Sequence, residues 1–116
     1  MKKQNTIKKK DEFTSIIKGK QHVNDLTIAF YYQTKKEEQS RVGITVTNKL
    51  GNAVARNKAK RQLREMIQAV FNGQEGFDTI LIIRENFKDY SFWDNKKCLE
   101  RCYKKVRIEH EGQGQS

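Results

Sequence analysis

Residues 48 to 65 read NKLGNAVARNKAKRQLRE, and between Arg41 and Arg64 the chain holds no Asp or Glu. Arg41, Lys49, Arg56, Lys58, Lys60, Arg61 and Arg64 are all cationic across that run. Placed 100° apart on a helical wheel, Ala59, Leu63, Met66, Ile67 and Val70 share one face, the apolar stripe of a helix packed on a core. The spacing predicts a helix from Asn52 to Phe71, entered through a corner at Gly51 and capped by Asn52. Beside the stripe run Ala53, Asn57, Lys60 and Arg64, with Arg61 and Gln68 further round and Arg56 near the apolar meridian at the first turn. Pairs such as Arg56/Lys60 and Lys60/Arg64 repel, each costing about 0.2–0.5 kcal/mol in an isolated helix. A polyanion on that face reverses the sign of the cost. The unpaired N–H groups of the first turn favour an anion as well. Asn57 adds an amide able to donate and accept, suited to a ribose 2′-hydroxyl or a base edge.

Working outward, Arg41 to Thr47 reads as a strand, with Val42, Ile44 and Val46 on one face and Gly43, Thr45 and Thr47 on the other. Leu26 to Gln33, LTIAFYYQ, is a second strand rich in β-branched and aromatic residues. Its alternation puts Ile28, Phe30 and Tyr32 opposite Thr27, Ala29 and Tyr31. The polar loop Thr34 to Ser40 between these strands reads as a hairpin connection. One sheet face is therefore apolar, while the other is small, hydroxylated and aromatic, a composition that lets single-stranded RNA lie close. Downstream, Asn72 and Gly73 stop the helix, and Asp78 to Arg84, DTILIIR, is an apolar run that suits a central strand buried on both sides. Helix followed by buried strand implies a crossover. Asp11 to Lys18 forms a short helix with Phe13, Ile16 and Ile17 on one face, Phe13 reading either as a core anchor or as a wall of a nucleotide cleft. Ser91 caps a last helix to about Ile108, packed through Phe92, Leu99, Cys102, Tyr103 and Val106, with Trp93 at its rim.

The order is α-β-β-α-β-α, an α+β chain of 116 residues that fits one domain. Residues 1 to 10 read as a flexible basic arm, 11 to 108 as a single RNA-binding domain and 109 to 116 as a disordered tail. With 24 Lys and Arg against 14 Asp and Glu, the net charge is +10 and the pI near 9.7, which predicts nucleic acid or an anionic surface as partner. No window has the apolar length of a membrane span, and the N-terminus lacks the apolar core of a signal peptide, so the expected location is the cytoplasm, with no membrane partner. Cys98 and Cys102 lack the second pair a zinc site needs and read as reduced thiols, Cys102 on the packed stripe and Cys98 to its side. His22 and His110 are assigned no chemistry.

Lys49, Gly51, Asn52, Ala53, Val54, Arg56, Asn57, Lys60, Arg61, Leu63, Arg64 and Glu65 resemble the arginine-rich signature helix of the bacterial ribonuclease P protein subunit. The approach strand Arg41 to Val46, the Phe13 segment and the length extend the resemblance over roughly residues 6 to 106. It implies a two-layer, ribosomal-protein-S5-like sandwich on a small mixed sheet. It also implies a left-handed βαβ crossover, although most crossovers are right-handed and nothing in the residues sets the hand. The implied partners are a catalytic RNA and precursor tRNA, with no obligate protein partner evident. In this reading the catalytic RNA hydrolyses precursor tRNA at the 5′ end of the mature sequence, using magnesium bound mainly by the RNA, and the protein supplies no catalytic residue. Lys49, Asn52, Arg56, Asn57, Lys58, Lys60, Arg61 and Arg64 are the implied RNA contacts. Phe13, Ile17, Tyr31, Thr45 and Thr47 are the implied leader cleft, with Ile17 standing where many members of the family carry a second aromatic.

Three other classes compete. A structural, ribosomal-type RNA-binding protein would use the same helix without a leader groove. A helix-turn-helix DNA binder is disfavoured by the two strands before the basic helix and the lack of a partner helix. A free-standing metal nuclease needs clustered carboxylates, and Asp11, Glu12, Asp25, Asp78, Glu85 and Asp89 show no motif spacing.

Overall fold

A computed structural model describes residue 7 and residues 10 to 114 of the chain. Three helices, α1 (Lys10–Lys18), α2 (Ala53–Val70) and α3 (Phe92–Gly114), pack on four strands, β1 (His22–Asn24), β2 (Ile28–Thr34), β3 (Val42–Val46) and β4 (Phe77–Ile83). The order expected from sequence is present, with the three-residue β1 added at one edge. Short 3-10 turns at Asn48–Leu50 and Glu85–Asp89 lead into α2 and α3.

The sheet runs β1-β2-β4-β3, with β2 antiparallel and β3 parallel to β4. Thr34 to Ser40 is therefore not a hairpin connection, because β4 lies between the two strands it joins. The physical reason sits in β4, whose Thr79, Ile80, Leu81 and Ile83 have no exposed surface. Such a strand needs a neighbour on each edge as well as layers on both faces. The β3-α2-β4 segment is the crossover that supplies one of those edges.

The two sheet faces divide the core. Ile28, Phe30, Tyr32, Val42, Leu81 and Ile83 face α2 and α3, where Leu63, Met66, Leu99, Cys102 and Val106 complete the main cluster. Burial of each such large apolar side chain contributes about 1.5–3 kcal/mol. The other face carries a smaller cluster of Ile7, Ile16 and Ile80, flanked by Phe13, Ile17, Tyr31 and Ile82. Ile7 is buried there and its N–H donates to Val42 O at 3.3 Å, so Ile7, like Lys10 at the start of α1, belongs to the packed domain and not to a flexible arm. The expected flexibility of residues 1 to 6, 8 and 9 lies outside the described residues.

At the other end, α3 continues to Gly114, past the residue 108 boundary, rather than giving way to a disordered tail from Glu109. Tyr32 donates its hydroxyl to Glu109 Oε2 at 2.8 Å, and the His110 ring meets Phe77 edge to face at 5.4 Å, so those two side chains tie the last turns to the sheet. Cys98 is buried along with Cys102, not beside the stripe as its wheel position suggested. Burial pushes the Cys102 thiol up to about 12, which suits an inert core thiol.

Candidate nucleic-acid interface

Asn52 caps α2 by accepting a hydrogen bond from the Ala55 N–H at 3.0 Å, and one residue back Gly51 turns the chain with φ 155°. The helix then buries Ala59, Leu63, Met66 and Ile67. That fixed rotation sends Asn57, Lys58, Arg61 and Arg64 to solvent, while Arg56 and Lys60 are half-buried on one flank. Arg56 donates to Asn48 Oδ1 at 3.1 Å, which steadies its guanidinium against the preceding turn. Lys49 is exposed on that turn, and its N–H donates to Thr47 Oγ1 at 3.3 Å. Among the described residues, ion pairs form at Arg41 and Arg101 and none at Lys49, Arg56, Lys58, Lys60, Arg61 or Arg64. The α2 cations are thus displayed on one rigid element and left without carboxylate partners.

Arg41 departs from this pattern. Its guanidinium reaches Glu12 at 2.6 Å, Asp78 at 3.0 Å and Glu37 at 3.6 Å, and only 10 % of its side chain is exposed. Burial pulls its pKa down, but the bonds it donates to Asp78 and Glu12 outweigh that and raise it. Arg41 is therefore a structural cation that ties the start of α1 to β3 and β4, not part of the displayed ridge. Lys58 departs differently. It leaves α2 on the flank opposite Lys60 and borders a groove towards α3.

The cleft residues converge on the α1 face of the sheet. Phe13, Ile17 and Tyr31 pack around the Ile7, Ile16 and Ile80 cluster. Register places Gly43 beside Ile80 and Thr45 beside Ile82. A Cβ at Gly43 would stand 2.7 Å from both Phe13 Cζ and Ile80 Cδ1, so glycine is what lets the Phe13 ring close onto the strand. Thr45 and Thr47 are both partly exposed, and Thr47 also caps the turn that leads to α2.

Two residues that drew no functional reading border the same face. The His22 ring stacks on Tyr31, with centroids 4.9 Å apart and planes 21° from parallel. Alternation along β4 carries the face of Ile80 and Ile82 on to Arg84, which is exposed and donates to Asn24 Oδ1 at 2.7 Å. A three-residue strand is too short for its alternation to be read, which hid His22. Arg84 ends an apolar run, and only the known register shows its side.

Among the described residues no group of three or more His, Cys, Asp or Glu side chains is placed to hold a metal ion. No helix among them is long and apolar enough to cross a membrane.

The family model described as Ribonuclease P matches residues 1 to 107. A ribonuclease P protein component from Bacillus velezensis is 35% identical over 109 residues, covering 93% of this chain and 94% of the relative. One from Bacillus cereus is 38% identical over 109 residues, covering 90% and 93%. The solved ribonuclease P protein of Staphylococcus aureus superposes with a TM-score of 0.80 at 35% identity, covering 90% of this chain and 96% of that one. That of Thermotoga maritima superposes at 0.70 with 28% identity, covering 84% and 97%. With the family model matched over nearly its whole length and its fold shared with these solved proteins, the chain belongs to the ribonuclease P protein family and is a protein subunit of that tRNA-processing ribonucleoprotein.

Proposed function

We propose that this chain works in the cytoplasm as the non-catalytic partner of a catalytic RNA, and that its two surfaces divide the labour. The α2 ridge of Arg56, Asn57, Lys60, Arg61 and Arg64, together with Lys49 and Asn52 at its entrance, grips phosphates of the catalytic RNA or of precursor tRNA near the cleavage point. The α1 face of the sheet receives the single-stranded 5′ leader, with Phe13 and Tyr31 against bases, Ile17 as an aliphatic wall and Thr45 and Thr47 as hydroxyl partners. Arg84 places a cation at the end of that track. Stacking tolerates any base and is worth about 1–3 kcal/mol per base, so the groove distinguishes precursor from mature tRNA without reading sequence.

Magnesium in this reading is held by RNA phosphates. Among the described residues no group of three or more His, Cys, Asp or Glu side chains converges to hold the ion, which is consistent with a protein that supplies no metal ligands. What the chain contributes is position and charge. It holds the leader in line and offsets phosphate repulsion where two RNA molecules meet.

The observation that carries this reading is the separation, on one small scaffold, of a cation ridge that forms no ion pair among the described residues from an aromatic and hydroxyl-bearing sheet face. The test is reconstitution with a bacterial catalytic RNA at low magnesium, following cleavage of precursor tRNA. Addition of the protein is expected to restore cleavage that the RNA alone loses as magnesium is lowered. Equal cleavage with and without it, or cleavage by the protein alone, contradicts the division of labour.

A further inference from the structure

The flank of α2 opposite Lys60 faces an open groove of about 350 Å³ between the first half of α2, the turn Glu85–Asp89 and the start of α3. Its lining includes apolar Leu50 and Phe87, the rings of Tyr90 and Phe92, and Lys58 and Lys88. No Asp or Glu lines it. Trp93 adjoins it, edge to face with Phe92 at 5.3 Å, and Lys96 Nζ lies 5.4 Å from the Trp93 ring.

Tyr90 is 40% exposed and Trp93 65%, and among the described residues they are the two aromatic side chains that stand out as exposed large apolar groups. Neither serves the sheet-face cleft. Exposed rings beside unopposed lysines form the combination that stacks an unpaired base and neutralises its flanking phosphates. The groove is also continuous with the phosphate ridge, because Lys58 is one residue from Asn57 on the same helix. An RNA strand lying along Asn57 and Arg61 can therefore cross directly into it.

We propose that this groove is a second RNA subsite, which takes one unstacked base of the catalytic RNA against Tyr90 and Phe92, with Lys58 and Lys88 on the adjoining phosphates. The assignment rests on the catalytic RNA being the partner of α2. It puts that RNA on the α3 side of the helix and leaves the sheet side to the leader.

Trp93 is the only tryptophan in the chain, so its emission reports on the rim of the groove in the unmodified protein. The test titrates the full chain with catalytic RNA, following Trp93 emission and gel mobility in parallel, with a single-stranded leader oligonucleotide as a second arm. Emission is expected to change in step with binding of the catalytic RNA and to stay constant with the leader. Tyr90→Ala should weaken binding of the catalytic RNA by about 5- to 150-fold, with Tyr90→Phe close to the parent, while preference for precursor over mature tRNA is kept. Lys88→Ala should lower the logarithmic salt slope by about one.

Binding of the catalytic RNA with constant emission, and with affinity unmoved by Tyr90→Ala, overturns the subsite and leaves the wider reading standing. Failure of the catalytic RNA to bind at all overturns both. An emission change with the leader, or an equal one with an acidic polyglutamate peptide, assigns the groove to another occupant and likewise overturns the subsite.

Discussion

Arg41 and Arg64 carry the same guanidinium into opposite circumstances. The first is enclosed by Glu12 and Asp78, and the second is exposed and, among the described residues, without an ion pair. Burying an Arg is tolerable only with such partners, and removing one partner leaves an uncompensated charge. The exposed cations are free to trade solvent and counterions for phosphate. Replacing Arg56, Lys60 and Arg64 together with Ala is expected to reduce the logarithmic salt slope of RNA binding by about one unit per lost contact, read from affinities at several salt concentrations. An unchanged slope would remove these side chains from the interface. Tyr31 makes a different prediction because it contributes a ring instead of a charge. Tyr31→Ala should cost precursor tRNA roughly 1–3 kcal/mol of binding and mature tRNA little. Equal losses for both would place the ring outside the leader track.

At the scale of elements, α1 is held to the sheet by two devices. Phe13 and Ile16 pack on the β4 face, and Glu12 is bonded to Arg41 at the entry to β3. Gly43 sets how closely the Phe13 ring approaches, since a methyl group there meets the far ends of Phe13 and Ile80 at 2.7 Å. Both ends can swing away, so Gly43→Ala is expected to leave the chain folded but to displace the ring. Competition binding should then show weakened precursor binding with catalytic RNA affinity kept. A parallel loss of both, or no change in either, would contradict the role given to this contact. The apolar periods of α2, β2 and β3 were readable because each residue's face follows from its own element, and β4 was readable as an unbroken apolar run. The pairing of β2 and β3 was misread because proximity in sequence suggested a hairpin, whereas β4 needed covering on both edges. The course of α3 beyond Ile108 was hidden as well, since Glu109 and His110 look like solvated tail residues until Tyr32 and Phe77 are seen beside them.

For the whole molecule, Glu75 joins three distant parts of the chain. Its carboxylate accepts from Ser40 Oγ at 3.0 Å, the Asn72 N–H at 2.8 Å, the Gly73 N–H at 3.1 Å and the Tyr103 hydroxyl at 2.7 Å. Gly73, with φ 85°, provides the left-handed turn that aims those amides at it. Burial pushes the Glu75 pKa up, but the hydrogen bonds more than compensate and it lies below its ordinary value of 4.5. A carboxyl lowered in the folded state stabilises the fold above its unfolded pKa and loses that contribution as pH falls through the folded one. Asp25, lowered chiefly by its bond from Arg101, acts in the same direction. Thermal melts should therefore lose stability below about pH 4.5, and Glu75→Gln should melt lower at neutral pH but show a smaller further drop on acidification. An identical acid profile in the variant would show that Glu75 does not carry the titration.

Charge, the apolar stripe of α2, its Asn52 cap and the strand periods are local properties, and the residues alone settle them because each depends on neighbours a few positions away. The acid-free run likewise located the helix whose cations stand exposed, without coordinates. What needed three dimensions was every statement about long-range partners. Arg41 became structural through Glu12 and Asp78, His22 reached Tyr31 across strands, Arg84 took its side from the register of β4, and Lys58 faced away from Lys60 towards α3. Those outcomes depend on which buried strand demands which neighbour, a competition among distant apolar surfaces that no short window of sequence contains.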